Sequence, residues 1–198
     1  MSMSHIAVGE KLVSAANPVP TTAAAGENHV GFVGLTTAEV AAVLTRPSDT
    51  PGAYSAKDVI SDSTSEPHVI TFTNIARVAG GCGSITKARL FTNSATALLG
   101  AVVRLHLYHT SPTAVNDHAQ FALAWANRTG RIGYIDFPAL TTEGTGSDSA
   151  YSLWVDMPIA YCCAGADRNL YGIAELTTPG AAPASAQILY FALTVENN

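Results

Sequence analysis

Six histidines, fifteen aspartates and glutamates and three cysteines are the groups that could carry chemistry in this chain, and their spacing decides what each can do. His106 and His109 sit three apart in an alternating apolar run. A strand would point them to opposite faces, where they cannot share a metal ion. His118 follows Asp117 in a polar stretch and reads as a solvated loop residue. Asp136, Glu143, Asp148 and Asp156 fall on or near one acidic, glycine-rich loop, Glu143-Gly144-Thr145-Gly146-Ser147-Asp148. A glycosidase needs two carboxyls across a sugar, for which Asp136, Glu143 and Asp156 are the candidates, and a calcium site needs several oxygens converging on one ion. The loop lacks the Asp-x-Asp-x-Asp-Gly spacing of an EF-hand. It reads instead as a flexible turn, in which Gly144 and Gly146 permit positive φ and Asp148 caps a turn.

No Gly-x-Ser-x-Gly elbow is present, so the abundant serines have no nucleophile setting of that kind. Gly80-Gly81-Cys82-Gly83 is too short for a phosphate loop and has no Lys-Ser/Thr after it. Cys82, Cys162 and Cys163 are odd in number and cannot complete an internal disulfide framework. The adjacent pair Cys162-Cys163 could be a vicinal disulfide or half a metal site, but no Cys-x-x-Cys spacing supports it, and buried free thiols are the expectation. Tyr108, Trp125, Tyr134 and Trp154 could form a sugar platform or anchor a protein interface. These readings give no catalytic residue, cofactor or metal, and the expected class is not an enzyme.

Composition narrows the setting. The chain has 198 residues, of which 47% are hydrophobic and only 13% charged, against roughly 25% charged in soluble proteins generally. A surface so poor in charge suits a protein covered by neighbours in an assembly. Net charge is −5 and the ten basic residues are scattered, which argues against nucleic acid as a partner. No apolar run reaches the ~18 residues of a membrane span. Residues 1–16 lack the basic start and apolar core of a signal peptide, so synthesis in a cytoplasm is expected.

These groups must be positioned by strands. From residue 53 onward the apolar pattern has period two: Val103, Leu105 and Leu107 alternate with Arg104, His106 and Tyr108, and Leu189, Phe191, Leu193 and Val195 with Ile188, Tyr190, Ala192 and Thr194. Further strands are read at 53–60, 68–75, 84–93, 131–137, 151–157 and 169–176. Two of these runs stop at Pro138 and Pro158, and a helical turn is placed within 112–123. Eight short strands without alternating helices predict an all-β fold, a jelly-roll sandwich over residues 53–198. Residues 1–52 read as an extended N-terminal arm. Its Pro/Thr/Ala run at 17–26 has too little apolar bulk for a core. Thr36-Thr37-Ala38-Glu39 has capping-box form, and Val40, Ala41, Val43 and Leu44 follow at helical spacing, which predicts a short helix ending before Pro47. Removal of residues 1–52 is then expected to leave a folded β domain.

The segments at 54–60, 85–90, 103–107, 131–137 and 143–148 together resemble the small structural proteins of tailed bacteriophages, in particular capsid decoration or cement proteins. The resemblance covers residues 53–195. It implies a jelly roll that forms homotrimers on the outer face of an icosahedral head and binds the major capsid protein, with no cofactor and no chemistry. Lys87, Arg89, Arg104, His106 and Tyr108, placed outward by strand alternation, are the contact candidates. The alternative is a receptor- or carbohydrate-binding jelly-roll module of a tail or head fibre, working through the aromatic residues.

Overall fold

The computed structural model describes residues 7–8, 11–12, 36–48, 52–179 and 182–197. The chain divides into two units, Met1–Gly34 and Leu35–Asn198. In the first, β1 (Ala7–Val8) pairs antiparallel with β2 (Lys11–Leu12). The Pro/Thr/Ala run at 17–26 lies outside the described residues.

The second unit is built from β3 (Thr36–Thr45), β4 (Val59–Ile60), β5 (Ile70–Phe72), β6 (Cys82–Thr92), β7 (Val103–Tyr108), β8 (Arg131–Phe137), β9 (Ala150–Tyr151), β10 (Val155–Cys162), β11 (Leu170–Leu176) and β12 (Ile188–Asn197). A single turn of helix, α1 (Trp125–Arg128), precedes β8. It falls just beyond the 112–123 stretch where a helical turn was expected, and residues 117–118 form a non-helical turn.

The strands make two sheets. One runs β10-β6-β12-β3 with β9 added to β6, and the other runs β4-β11-β7-β8 with β5 added to β11. Every pairing is antiparallel. Taking β4 and β5 as one broken strand and β9 as an extension of the β10 edge leaves eight positions along the chain. The sheets then read sixth, third, eighth, first, and second, seventh, fourth, fifth. That order is the double Greek key of a jelly roll, as the alternation predicted.

Period two decides which side chains enter the core. Val103, Leu105 and Leu107 on β7 and Leu189, Phe191, Leu193 and Val195 on β12 are all 0% exposed. They meet between the sheets, where Phe137 and Phe191 pack with ring centroids 5.8 Å apart. β12 lies inside its sheet, between β6 and β3, and its outer face packs across the strands, with Tyr190 stacked on Phe91 of β6.

The predicted helix over 36–45 is a strand. β3 pairs with β12 over ten residues, from Thr36↔Asn197 to Thr45↔Ile188. The residues it sends toward the core are Val40, Ala42 and Leu44, a period-two set, while Val43 points out and is 58% exposed. A local capping signal is worth about 1 kcal/mol. It is outweighed by a full ladder of backbone hydrogen bonds and the burial of Ala42 and Leu44. The sandwich unit therefore starts near residue 35 and not at 53, and removal of residues 1–52 would take away a whole edge strand.

Pro158 does not end its strand either. It sits within β10, on the outer edge of the sheet and beside the register shift between Asp156 and Ile159, where a missing backbone donor is tolerated. Strands pair with free ends aligned: Asn197 faces both Thr36 and Gly83, while Leu189 faces Leu44 and Thr92, and Thr92 faces Ala150.

Cys82 and Cys162 are cross-strand partners at the β6–β10 edge and form a disulfide across 80 residues of sequence. The expectation of free thiols holds only for Cys163, which is buried. An odd count excludes a complete framework, but it does not exclude one bond plus one thiol. Among the described residues no helix is long and apolar enough to cross a membrane.

Candidate functional site

The five expected contact residues do not share a surface. Lys87 and Arg89 lie on β6, and Arg104, His106 and Tyr108 lie on β7, in the other sheet. The sheets pack inner face to inner face, so the two groups look in opposite directions. Lys87 is exposed and sits 3.7 Å from Asp156. Arg104 is half-buried and binds Asp136 on β8 through two hydrogen bonds of 2.6 and 2.8 Å. That fork holds its pKa above the usual arginine value.

His106 and Tyr108 face away from the core as the alternation required, yet both are buried, at 2% and 1% exposed. Residues 112–124 fold over this face of the sheet. Phe121 stacks on His106 with centroids 4.0 Å apart and planes 13° from parallel. Val115, Phe121 and Leu123 pack against Val59, Tyr108 and Ile173. As candidates for direct partner contact these two residues are therefore withdrawn. Alternation reports which face a residue takes, not what lies above it.

Under this cover the polar groups form a defined chain. Arg131 donates to Nδ1 of His106 at 2.9 Å, and Nε2 of His106 lies 2.5 Å from Oε2 of Glu175. A guanidinium can only donate, so Nδ1 must be the acceptor and Nε2 must carry the proton that reaches Glu175. The ring is the neutral Nε2–H tautomer. Burial, which disfavours the imidazolium, lowers its pKa despite the opposing pull of Glu175. A buried Tyr108 hydroxyl beside the network has no hydrogen-bond partner, and burial raises its pKa. The arrangement orients a histidine beneath the 112–124 cover.

A second internal cluster ties four segments together. Asp117 accepts from Arg46 at 2.5 Å, from the Tyr54 hydroxyl at 2.7 Å and from the Ser61 backbone N–H at 2.8 Å. Arg46 also donates to the Ala184 carbonyl at 3.1 Å. Arg46 and Asp117 have fully buried side chains. Tyr54 has its pKa pushed well above the usual phenol range, chiefly by burial and then by the Asp117 carboxylate. His118, expected to be solvated, stacks on Tyr54 with centroids 4.0 Å apart in the left-handed conformation, φ 61°. The cluster pins the segments at residues 46, 54–61, 117–118 and 184.

The outer face of the first sheet is different in kind. Tyr151 stands opposite Phe91, Phe91 opposite Tyr190, and Tyr190 opposite Val43, so one outward row crosses β9, β6, β12 and β3. Phe91 and Tyr190 stack at 4.3 Å. Between β9 and β10 the edge is interrupted at residues 152–154. Ser152 keeps contact by exchanging two hydrogen bonds with the Leu90 backbone, at 2.7 and 3.0 Å. Leu153 and Trp154 are turned outward, 60% and 45% exposed. Beside them opens a cleft of about 560 Å³, lined by Arg89, Phe91, Glu143, Tyr151, Leu153 and Trp154 among others. The Arg89 guanidinium lies 4.7 Å from the Trp154 ring and 5.3 Å from Phe91, and it pairs with Glu39 at 3.2 Å. Its Nε is buried without a partner. Burial and the neighbouring Glu143 carboxylate raise the Tyr151 pKa.

The carboxylates singled out in the sequence do not converge. Asp136 is engaged with Arg104 on the second sheet, whereas Glu143 and Asp156 belong to the first. Among the described residues no group of three or more His, Cys, Asp or Glu could hold a metal ion. Sequence reading missed Arg46, Tyr54, Asp117, Glu175 and Tyr151. Only Tyr151 carried a local signal, as the aromatic that restarts alternation after the glycine-rich loop.

No family model matches this chain, and no curated protein matches it. Among solved structures it is similar to the PRD1 vertex protein P5, at 14% identity and a TM-score of 0.33 over 83% of this chain and 99% of that one. It is also similar to a chain of tomato aspermy virus, at 8% identity and 0.31 over 84% and 79%. A third similarity is to a chain of the Israeli acute paralysis virus full particle, at 13% identity and 0.29 over 96% and 84%. The assignment as a jelly roll rests on the strand order described above.

Proposed function

We propose that the chain is a structural virion protein, a decoration or cement protein that binds the outer surface of an icosahedral phage head as a homotrimer and stabilises contacts between major capsid protein subunits. The observation that carries this reading is how the polar and apolar groups are divided. The buried ionisable side chains are spent on internal networks, while large apolar side chains stand in solvent: Trp125 is 85% exposed, Val78 63%, Leu153 60% and Val43 58%. Exposed apolar side chains of this size favour association. The sequence resemblance supports the same reading.

Cement acts by mass action. A protein that binds only the mature shell stabilises it by its own binding free energy, and a trimer gains further through multivalency. Lys87 and Arg104 keep accessible charge for polar contacts. Cryo-electron microscopy of particles of the encoding virus tests the proposal. Density for the sandwich at three-fold and quasi-three-fold positions on the outer lattice is expected. Absence from the shell, with the protein found at a tail or fibre tip, would overturn it.

A further inference from the structure

The cleft beside Trp154 and the row of side chains leading away from it combine two kinds of surface. A pyranose ring presents an apolar C–H face and a rim of hydroxyls. Its face packs on a flat aromatic ring, whose quadrupole is negative above the plane. Its rim needs carboxylate and guanidinium partners that fix orientation. Trp154 supplies a half-exposed indole, Tyr151 and Phe91 continue the aromatic surface, and Glu143 and Arg89 stand at the same cleft. The row from Tyr151 to Val43 crosses three inter-strand spacings, about 14 Å, which a short oligosaccharide would cover and a single sugar would not.

We infer that this face of the sheet binds an uncharged oligosaccharide, with one sugar ring seated on Trp154 in the cleft. Charge decides against an acidic glycan. Arg89 is already paired with Glu39, and Glu143 adds a further carboxylate, so the cleft has no surplus positive charge to hold a sulfate or a uronate. The inference assigns Arg89 to the cleft and requires this face of the sheet to be turned away from the shell.

The test uses the full chain and three probes, cellohexaose, chitohexaose and a heparin hexasaccharide, followed by isothermal titration and tryptophan fluorescence. At least one neutral hexasaccharide is expected to bind, with the heparin probe inert. Trp154→Ala should weaken that binding about tenfold or more. Trp125→Ala, on the other sheet's flank, should leave it unchanged. Glu143 is exposed, so Glu143→Gln tests the rim without touching the core, and it too should weaken binding. Failure of both neutral probes, binding undiminished in Trp154→Ala and Glu143→Gln, or preference for heparin would each overturn the inference. So would a Trp154→Ala protein that loses only its affinity for virus particles, which would make this face a protein contact.

Discussion

Arg131, His106 and Glu175 illustrate how a buried polar chain fixes a protonation state. Folding lowers the affinity of His106 for a proton relative to the unfolded chain. As pH falls through the ordinary imidazole range, around 6.5, the unfolded chain takes up a proton that the folded chain refuses, so stability present above that range is lost on acidification. Urea unfolding between pH 8 and pH 5 should therefore show a decline that His106→Gln flattens. An equal slope in both proteins would place the responsible group elsewhere. At Asp117 the effect is structural. Asp117→Ala removes the acceptor that Arg46, Tyr54 and the Ser61 backbone share, at an expected cost of about 3–5 kcal/mol read from the same unfolding curves. Little of this was legible in sequence. Asp117 lies 56, 63 and 71 positions from Ser61, Tyr54 and Arg46, and neither burial nor partner leaves a local pattern.

At the level of elements, alternation was informative wherever a strand has one face in the core, which is why β7, β8, β11 and β12 were readable to within a few residues. It failed in two instructive ways. The ten residues of β3 carry a helix-start signal that their partner β12 overrides, and the cover formed by residues 112–124 buries a strand face that alternation could only describe as outward. The disulfide was invisible for a related reason. Cys82 and Cys162 become neighbours only because β6 and β10 pair, and sequence alone gives no register between strands so far apart. Closing a loop of that length constrains the unfolded chain, so reduction, or Cys82→Ser with Cys162→Ser, should lower stability by about 2–4 kcal/mol. Thermal unfolding with and without dithiothreitol measures it, and an unchanged midpoint would mean that the bond constrains little.

For the whole molecule, the all-β class and jelly-roll order were legible because eight strands with few helices leave few architectures, but the boundary was not. The two candidate limits make opposite predictions. A chain starting at residue 35 should keep the circular dichroism and cooperative melting of the sandwich, whereas one starting at 53 lacks β3 and should melt far lower or fail to fold. Cooperative melting of both would make β3 dispensable. The alignment of strand ends has a further consequence. Thr36 and Asn197 are partners, so the chain enters and leaves the sandwich at one end. A strand of ten residues separates that end from the turn after β3, about 30 Å at 3.3 Å per residue. Ala150 pairs with Thr92 at the distant end, so the 143–148 loop and the Trp154 cleft sit there. The sandwich is thus a spacer with a handle and a tip: a cargo joined directly at Thr36 or Asn197 would leave the loop unobstructed, and a peptide inserted at 143–148 would be held out at the far end.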